Sequence, residues 1–457
     1  MSIPLLLRGG RIAVDLLGEG GVIEDGAVLV GEDGRVAALG PSSGVSAPPG
    51  ARVRVVELGG RLVLPGLVNA HTHLYSTLAR GMPPLPGTAP REFVGVLERL
   101  WWPLDRALTL DDVYLSAFFG LLECARAGVT TVIDHHASQG AVAGSLEAVA
   151  RAAQDVGVRL CTCFEVTDRD GPEVARAGLE ENVRFARAVR ADPRARGGAP
   201  TLAATFGLHA SFTCGDDTLR QARDLVEREG LPGVHVHVAE DRADEEDALR
   251  RAGVRTVERL HGLGLLGSGT VAGHCVWADD AELDRLAETR TLVVTNPSSN
   301  MNNGVGRLDL ARLRARGVRV ALGSDGMTGD VLHELAQAYL VRRDAAADPR
   351  VGGDEAAALL GGAREVADLF FPGAGLGRLA VGGPGDLVVL DYDPWTPLDG
   401  GNLLWHVLYG GLGAKARTVV VGGRVVLDEG HVPDHDLKAM AARARAAAVG
   451  LWSRRKV

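Results

Sequence analysis

The stretch PGLVNAHTHL, Pro65 to Leu74, places two histidines one residue apart at the end of an apolar run. Because successive side chains of a strand point to opposite faces, His71 and His73 share one face and Thr72 takes the other. Two imidazoles on one face have the geometry of a chelate, although ordinary hydrogen bonding also places histidines at strand ends. The stretch alone therefore leaves metal binding open, and further ligands have to come from the rest of the chain.

Seven more apolar runs follow this one, and they alternate with helical stretches rich in alanine, arginine and leucine. In chain order the eight runs are LVLPGLVNAHTH, VTTVIDHH, GVRLCTCFEV, TLAATFGLHA, GVHVHVAED, GTVAGHCVW, TLVVTNPSS and GVRVALGSDG. Eight strand–helix units predict an α/β fold of the (β/α)8 or TIM-barrel class, whose active site lies at the C-terminal ends of the strands. Each run ends in polar or ionisable residues, which is where that fold carries its chemistry.

The sequence pattern at the two ends of the chain differs from that of the middle. Short β-forming runs with glycine-rich turns occupy the first ~62 residues and return in GDLVVLDYDPWTP and ARTVVVGGRVVLDEG. We therefore expect both ends to build one small β-sandwich, residues 1–62 and 379–457, around a barrel at 63–378. The last stretch, AAAVGLWSRRKV, is expected to close the chain as a helix.

The amino-acid composition limits the kinds of molecule that the protein is expected to bind. The 457 residues are 46% hydrophobic and carry a formal net charge of −9, which allows a large core and argues against nucleic acid. No apolar segment approaches ~18 residues, so no membrane span is expected. We expect a cytoplasmic protein with a small-molecule substrate, and a homodimer because symmetric dimers are the commonest oligomers.

The cysteine and lysine residues limit which cross-links and metal sites the chain can form. The five cysteines form no CxxC pattern, so reduced thiols in the core are expected rather than disulfides or a zinc ribbon. Cys275 belongs to this group. The only lysines are Lys415, Lys438 and Lys456, so the predicted barrel contains none.

The ends of the predicted strands supply a coherent set of metal-binding side chains. The first run gives His71 and His73, the fifth His237 with Glu240, the sixth His274, and the eighth Asp325. Three imidazoles and a carboxylate with an open position suggest one catalytic metal, which lowers the pKa of bound water to roughly 7 and yields metal-bound hydroxide. Glu240, three residues past His237, can carry a proton over the pocket, and Asp325 could also accept the proton of the water.

Three further histidines are ambiguous from the sequence. His235 shares a face with His237 and is interpreted as structural, one layer deeper in the barrel. His135 and His136 end the second run, and the sequence does not decide which of them faces the pocket.

The segments PGLVNAHTH, HVHVAE, GHC and LGSDG resemble the amidohydrolase superfamily, in the branch of chlorohydrolases, guanine deaminase and the methylthioadenosine/adenosylhomocysteine deaminases. The resemblance covers nearly the whole chain. Finer segments, among them LWWPLDRAL, TVIDHHAS, CFEVTDRDG and NPSSNMNNGVG, resemble the SsnA-type aminohydrolases.

This resemblance implies roles for the site residues. The implied metal ligands are His71, His73, His237 and Asp325; Glu240 is the implied proton shuttle, and His274 is implied to be catalytic through a hydrogen bond to the attacking water. The absence of lysine from the barrel excludes a carbamylated-lysine bridge between two metals. One divalent ion per chain is therefore expected, Zn²⁺ first and Fe²⁺ as the alternative.

The resemblance also points to substrate contacts. His209 matches a substrate-contacting histidine of the fourth strand, and Asp105 stands where the nucleoside deaminases carry a ribose-binding glutamate. Since aspartate is shorter, this departure weakens the expectation of nucleoside binding. The segment Tyr75 to Thr109 is expected to form a lid or wall for a flat ring. Further candidate contacts are Trp101, Trp102, Arg169, Asn300, Asn302 and Asn303.

The predicted activity is that of a metal-dependent aminohydrolase, which replaces an exocyclic amino group of a nitrogen heterocycle with oxygen and releases ammonia. The same site could instead hydrolyse a C–Cl or C–S bond or open a cyclic amide. A catalytically silent, metal-dependent scaffold is the remaining alternative, although every predicted ligand is present.

Overall fold

The computed structural model describes residues 3–87, 89–196, 199–411, 413–433 and 435–456. Its strands in these ranges are β1 Leu5–Ala13, β2 Val22–Val30, β3 Val36–Pro41, β4 Arg54–Glu57, β5 Leu62–Pro65, β6 Leu67–Thr72, β7 Val129–His136, β8 Arg159–Phe164, β9 Leu202–Ala204, β10 Phe206–Ala210, β11 Val234–Val238, β12 Val271–His274, β13 Leu292–Thr295, β14 Arg319–Leu322, β15 Leu387–Leu390, β16 Ala416–Val421 and β17 Arg424–Leu427.

The α-helices are α1 Phe93–Val96, α2 Trp102–Ala107, α3 Leu110–Arg126, α4 Ser145–Val156, α5 Pro172–Ala191, α6 Asp216–Glu229, α7 Arg242–Ala252, α8 Thr256–Gly262, α9 Asp280–Glu288, α10 Pro297–Asn302, α11 Leu310–Ala315, α12 Val331–Ala346, α13 Gly353–Phe370, α14 Leu403–Trp405 and α15 Leu437–Arg454. Single π-helical turns cover Leu97–Trp101 and His406–Gly410.

The middle of the chain forms two parallel sheets. One has the order β6-β7-β8-β9 and the other the order β10-β11-β12-β13-β14. Isolated parallel bridges, Thr72 with Asp325 and Val166 with Leu208, connect the edges of the two sheets. Strands β6, β7 and β8 are buried along their whole length, as expected for parallel strands covered on both faces. This α/β arrangement of parallel strands fits the predicted barrel class.

Two of the eight predicted runs are divided in the structure. The first run breaks at Gly66, so that β5 joins the terminal sheet and β6 the parallel one. A Cβ on Gly66 would lie 2.1 Å from Thr130 Oγ1, which explains why the chain crosses between sheets at a glycine. The fourth run breaks at Thr205, because β9 pairs with β8 whereas β10 pairs with β11.

Strands from both ends of the chain share one sheet, with the order β17-β16-β15-β5-β1-β2-β3 and β4 added to β1. The turn between β2 and β3 also pairs with the segment before β15 through the bridge of Arg35 with Pro384. The sheet is built from both ends of the chain, as the sequence predicted, whereas the two-layer sandwich remains a prediction. The terminal sheet contacts the parallel sheets through Arg159, at the start of β8, and Asp386, before β15.

The Arg159 side chain is fully buried, and its Nη2 donates to both carboxylate oxygens of Asp386, at 3.0 and 2.9 Å. Asp386 Oδ1 also accepts a hydrogen bond from the backbone N–H of Gly422. This buried ion pair between Arg159 and Asp386 fixes how the terminal sheet meets the parallel sheet that contains β8.

The predicted closing helix is confirmed as α15, which begins after the Asp436 cap and ends at Arg454; Val457 lies outside the described residues. The prediction of buried free thiols is also confirmed, since all five cysteines are unpaired and buried. No helix in the described ranges has both the length and the apolar content to cross a membrane.

Candidate active site

A cavity of about 390 Å³ opens where the parallel strands end. It is lined by side chains from the ends of β6, β8, β10, β11 and β12, together with the segment that contains Trp101 and Trp102. The sequence-predicted residues on its surface are His73, Trp101, Trp102, Asp105, His209, His237, Glu240, His274, Asn302, Asn303 and Asp325.

The two histidines of the opening motif are held by hydrogen bonds on their Nδ1 atoms. His71 Nδ1 lies 2.8 Å from His235 Nε2, and His73 Nδ1 donates to the carbonyl oxygen of His135 at 2.6 Å. A neutral His73 therefore carries a lone pair on Nε2. That Nε2 lies 3.2 Å from His237 Nε2 and 3.0 Å from Asp325 Oδ1, and His71 Nε2 is buried without a partner. The lone pairs thus converge on one point.

His274 and Asp325 complete this cluster from two other strands. Asp325 Oδ2 lies 3.7 Å from His274 Nε2 and accepts a hydrogen bond from the Ser299 hydroxyl. His274 Nδ1 donates to Asn300 Oδ1 at 2.7 Å, which leaves its Nε2 directed into the cavity. Asn300, predicted to contact substrate, does not line the cavity and instead orients His274. His235 contacts His71 Nδ1 through its Nε2 and does not line the cavity.

The strand ends that carry these groups have strained backbones. His274, Cys275 and Asp325 have φ values of 70°, 51° and 54°, and Ala239 next to Glu240 has 47°. Left-handed conformations cost non-glycine residues roughly 1–3 kcal/mol each and cluster at functional sites. Of these residues His274 and Asp325 line the cavity, and Ala239 directly precedes Glu240, which lines it as well.

The seam between β6 and the end of β14 holds Asp325 in this conformation. The backbone N–H of Asp325 donates to His71 O at 3.0 Å, and the Thr72 hydroxyl donates to Asp325 O at 2.9 Å. Gly323 allows the close approach, because a Cβ there would lie 2.8 Å from His71 Cβ and 2.4 Å from Asn296 Oδ1. Thr72, on the opposite face from the two histidines, therefore has a role of its own.

The donor set fits a divalent cation. Atoms of His71, His73 and Asp325 lie within 4.8 Å of one another, and His237 and His274 form an overlapping group with His71. Burial favours a neutral Asp325, but the imidazoles of His71 and His73 beside it outweigh burial and hold the pKa of Asp325 well below its usual range. An anionic carboxylate facing imidazole lone pairs attracts positive charge, and this ligand type suits Zn²⁺ or Fe²⁺.

Glu240 lies beside this cluster, three residues after His237. Its Oε2 is 3.6 Å from His274 Nε2. Burial raises the pKa of Glu240 to about 7, while His274 acts in the opposite direction. A carboxyl group with a pKa near the working pH can both accept and donate a proton.

A further acidic side chain in the cavity, that of Glu165, is absent from the predicted site residues. It follows β8, and its side chain lies near His135 and His209. Burial raises the pKa of Glu165 to about 8 and holds the pKa values of His135 and His209 well below the usual range. The sequence feature that could have indicated Glu165 is its position at the polar end of the run GVRLCTCFEV.

The structure distinguishes the two histidines that end β7. The His135 ring faces the cluster and stacks on His235, with ring centroids 4.6 Å apart. His136 instead makes a hydrogen bond with the Ser138 hydroxyl at 2.9 Å. His135 is therefore the member of the pair that borders the site.

One corner of the cavity is built around a buried ion pair. Arg169 Nη2 donates to Asp105 Oδ2, and the guanidinium lies 5.1 Å from the centre of the Trp102 ring. Arg169, predicted to contact substrate, does not line the cavity and contacts Asp105 instead. Burial raises the pKa of Asp105 to about 7, although Arg169 opposes this shift.

The sequence model of the amidohydrolase family matches residues 62–426. The chain belongs to this family. It is 32% identical to a 5-methylthioadenosine/S-adenosylhomocysteine deaminase of Symbiobacterium thermophilum over 98% of this chain and 99% of that protein. It is 34% identical to a 5'-deoxyadenosine deaminase of Methanothermobacter thermautotrophicus, over 96% and 97% of the two chains.

Solved structures show the same fold for this amidohydrolase. A zinc-bound adenosine deaminase from Xanthomonas campestris superposes with a TM-score of 0.82 at 25% identity and covers 99% of both chains. The E. coli guanine deaminase superposes with a TM-score of 0.75 at 22% identity over 94% of this chain and 100% of that one. The predicted family is confirmed, and the amidohydrolase is a metal-dependent hydrolase of C–N bonds.

Proposed function

We propose that this amidohydrolase is a deaminase that replaces the exocyclic amino group of a purine-like heterocycle with oxygen and releases ammonia. The observation that carries the proposal is the convergence of imidazole lone pairs and the Asp325 carboxylate beside Glu240 in one cavity. The named activities of the relatives, all deaminases of adenine-containing compounds, support it.

In this proposal His71, His73, His237 and Asp325 would hold one divalent ion, Zn²⁺ rather than Fe²⁺. When bound, the ion supplies the Lewis acidity that brings the pKa of a water molecule to about 7. The hydrogen bonds on the Nδ1 atoms of His71 and His73 keep their Nε2 lone pairs directed at the cluster. His274, held by Asn300, stays outside the proposed ligand set.

The proton transfers are assigned to three residues. Asp325 accepts one proton of the attacking water, to which His274 hydrogen-bonds, and the water oxygen bonds to the carbon that carries the amino group. Glu240 donates a proton to the adjacent ring nitrogen, which allows that carbon to become tetrahedral. The proton on Asp325 then passes to the amino nitrogen and the C–N bond breaks, while the hydroxyl proton of the tetrahedral carbon returns to Glu240, so that the products are ammonia and a carbonyl group.

The remaining wall would position the ring. Trp101 and Trp102 offer aromatic faces for a flat substrate, and His209, Asp105 and Asn303 offer polar atoms. Arg169 is proposed to fix the Asp105 carboxylate.

The test is ammonia release from a panel of amino-substituted purines, pterins, pyrimidines and triazines with the zinc-loaded protein. We expect ammonia from one class, no activity in Asp325→Ala, and a loss of about 10²- to 10⁴-fold in kcat for Glu240→Gln with zinc still bound. Near-normal turnover of Glu240→Gln would contradict the role of Glu240. No ammonia from any compound, despite one bound zinc per chain, would contradict deamination itself.

We further propose that the two parallel sheets act as one closed barrel, residues 63–378, and that residues 1–62 and 379–457 fold into a two-layer sandwich. The bridges of Thr72 with Asp325 and of Val166 with Leu208 support closure. A cytoplasmic homodimer remains the prediction from composition and from base rates. Light scattering on the purified protein measures the oligomeric state.

A further inference from the structure

One side of the cavity is formed by the segment with the two adjacent tryptophans, and we call residues 89–104 the aromatic wall. Trp101 and Trp102 line the cavity from this wall. A Cβ on Gly326, the residue after Asp325, would lie 3.9 Å from Trp101 Cη2. The aromatic wall therefore comes close to the residue that adjoins a proposed metal ligand.

The outer part of the aromatic wall is held by apolar packing. Phe93 and Leu97 form a small buried cluster with Val305, separate from the main core. Within the described ranges, residues 89–104 make no hydrogen bond to residues outside 85–107; Arg99, for example, donates only to the carbonyl oxygens of residues 85 and 86. The position of the aromatic wall thus depends on how the chain is fixed on either side of it.

Helix α15 fixes the chain before the aromatic wall. The indole N–H of Trp452 donates to the carbonyl oxygen of Leu78 at 2.8 Å, and Arg455 Nη2 donates to the carbonyl oxygen of Pro83 at 2.9 Å. Arg455 is buried, and a hydrogen bond from a charged donor is stronger than one between neutral groups. The chain therefore approaches the aromatic wall from two fixed points.

The same end of α15 holds the chain after the aromatic wall. Arg454 Nε donates to the carbonyl oxygen of Ala107, the last residue of α2, at 3.0 Å, and Arg454 Nη2 donates to the Asp112 carboxylate. The ion pair of Asp105 with Arg169 adds to the hold on this side. Both sides of the aromatic wall therefore meet at the last turn of α15 and the residue that follows it.

We infer that Trp452, Arg454 and Arg455 are positioning residues, which hold the aromatic wall over the cavity and thereby set the affinity for the substrate ring. The inference rests on the proposed deamination. None of the three lines the cavity, so they act through residues 89–104. The aromatic wall contacts a bound ring both before and during the reaction, and contacts made equally in the ground state and the transition state change KM rather than kcat.

The test loosens both sides of the aromatic wall at once. In Arg454→Met/Arg455→Met, both guanidinium groups are lost while apolar side chains remain. Arg443→Met is the matched control, because it makes the same change on the same helix, where Arg443 pairs with Asp111 rather than with either side of the wall. Trp452→Phe removes only the indole N–H and retains an aromatic ring. Circular dichroism and the melting temperature check that each variant is folded.

Amide hydrogen exchange of the zinc-loaded protein without substrate measures the hold on the aromatic wall. In the double variant we expect peptides from residues 89–104 to exchange at least about 10-fold faster, because the free energy of local opening falls with the lost hydrogen bonds. Trp452→Phe should accelerate the same peptides by about threefold. Peptides from the parallel strands, and every peptide of Arg443→Met, should exchange as in the unaltered protein.

Steady-state kinetics with the most active 6-aminopurine of the panel measure the effect on the substrate. We expect KM of the double variant to rise about 10-fold, with kcat within about twofold and zinc still at one ion per chain. This split separates positioning from a general loss of stability, which lowers the active fraction, and hence the apparent kcat, without changing KM.

Each outcome decides between the alternatives. Faster exchange confined to the aromatic wall, together with a higher KM, supports the inference. Exchange of residues 89–104 that matches Arg443→Met, or that rises equally in the parallel strands, overturns it, and so does an unchanged KM. If no purine releases ammonia, deamination fails, and the calorimetric affinity of the zinc-loaded protein for adenine replaces KM. A weaker affinity in the double variant then supports positioning, whereas equal affinities, or no binding to either protein, overturn it.

Discussion

Strand β8 carries a charged residue at each end, and the two are treated in opposite ways. Arg159, at its start, is completely buried and paired with both oxygens of Asp386. Glu165, just past its end, is buried to a similar degree but makes no side-chain hydrogen bond with the described residues. The difference teaches that one strand can use buried ionisable groups in two ways: at its start an ion pair joins two sheets, and past its end a carboxyl group faces the cavity.

The strongest test of this contrast removes a group at the catalytic end. Asp325→Ala should lose bound zinc and at least about 10²- to 10⁴-fold in turnover, because a ligand and a proton acceptor disappear together. Its free energy of unfolding without metal should stay close to that of the unaltered protein, since a buried carboxylate is removed while the backbone hydrogen bonds of residue 325 remain. Metal analysis and urea unfolding in chelator measure both. A large loss of metal-free stability would show that this end also holds the fold.

At the start of β8 we expect the opposite result, a loss of stability without a loss of turnover. Asp386→Ala leaves the Arg159 guanidinium buried without its partner, and we expect a loss of about 3–5 kcal/mol in the free energy of unfolding. Turnover per folded molecule should be unchanged. The control is Arg159→Met/Asp386→Ala, which removes both charges and should regain most of the stability. A large drop in kcat of the folded Asp386→Ala protein would contradict the division of roles.

A smaller effect is expected where a residue supports the site without touching substrate. Asn300→Ala deprives His274 Nδ1–H of its acceptor, so the ring loses its fixed orientation, and kcat should fall about 10- to 100-fold with little change in KM. Asn302→Ala, on the same helix but on the cavity surface, is the control and should act mainly on KM. Equal effects of both variants on KM alone would mean that Asn300 contacts substrate after all.

The sequence predicted the parts of the site that repeat with the strand period. His71, His73, His237, His274 and Asp325 all stand at the ends of apolar runs, and the parallel arrangement brings such ends together wherever the intervening helices lie. Glu240 followed from its spacing after His237. None of these inferences needed a side-chain conformation.

What the sequence could not predict depends on partners that are distant in the chain. Asn300 looked like a substrate contact until its amide oxygen was found against His274, and Arg169 until its guanidinium was found behind Asp105. Glu165 was overlooked because one acidic residue at a strand end is unremarkable until its closeness to His135 and His209 is known. The break at Gly66 likewise depends on how closely β7 approaches, which composition does not reveal.

The seam between Thr72 and Asp325 also has a consequence for the order of events during synthesis. The two residues are 253 positions apart in the chain. At 5–20 residues per second, roughly 10–50 s pass between the emergence of the histidine pair and the arrival of the carboxylate. Until then one of the four proposed metal ligands has not been made, so the complete proposed metal site forms only after the last of the parallel strands, β14, has emerged.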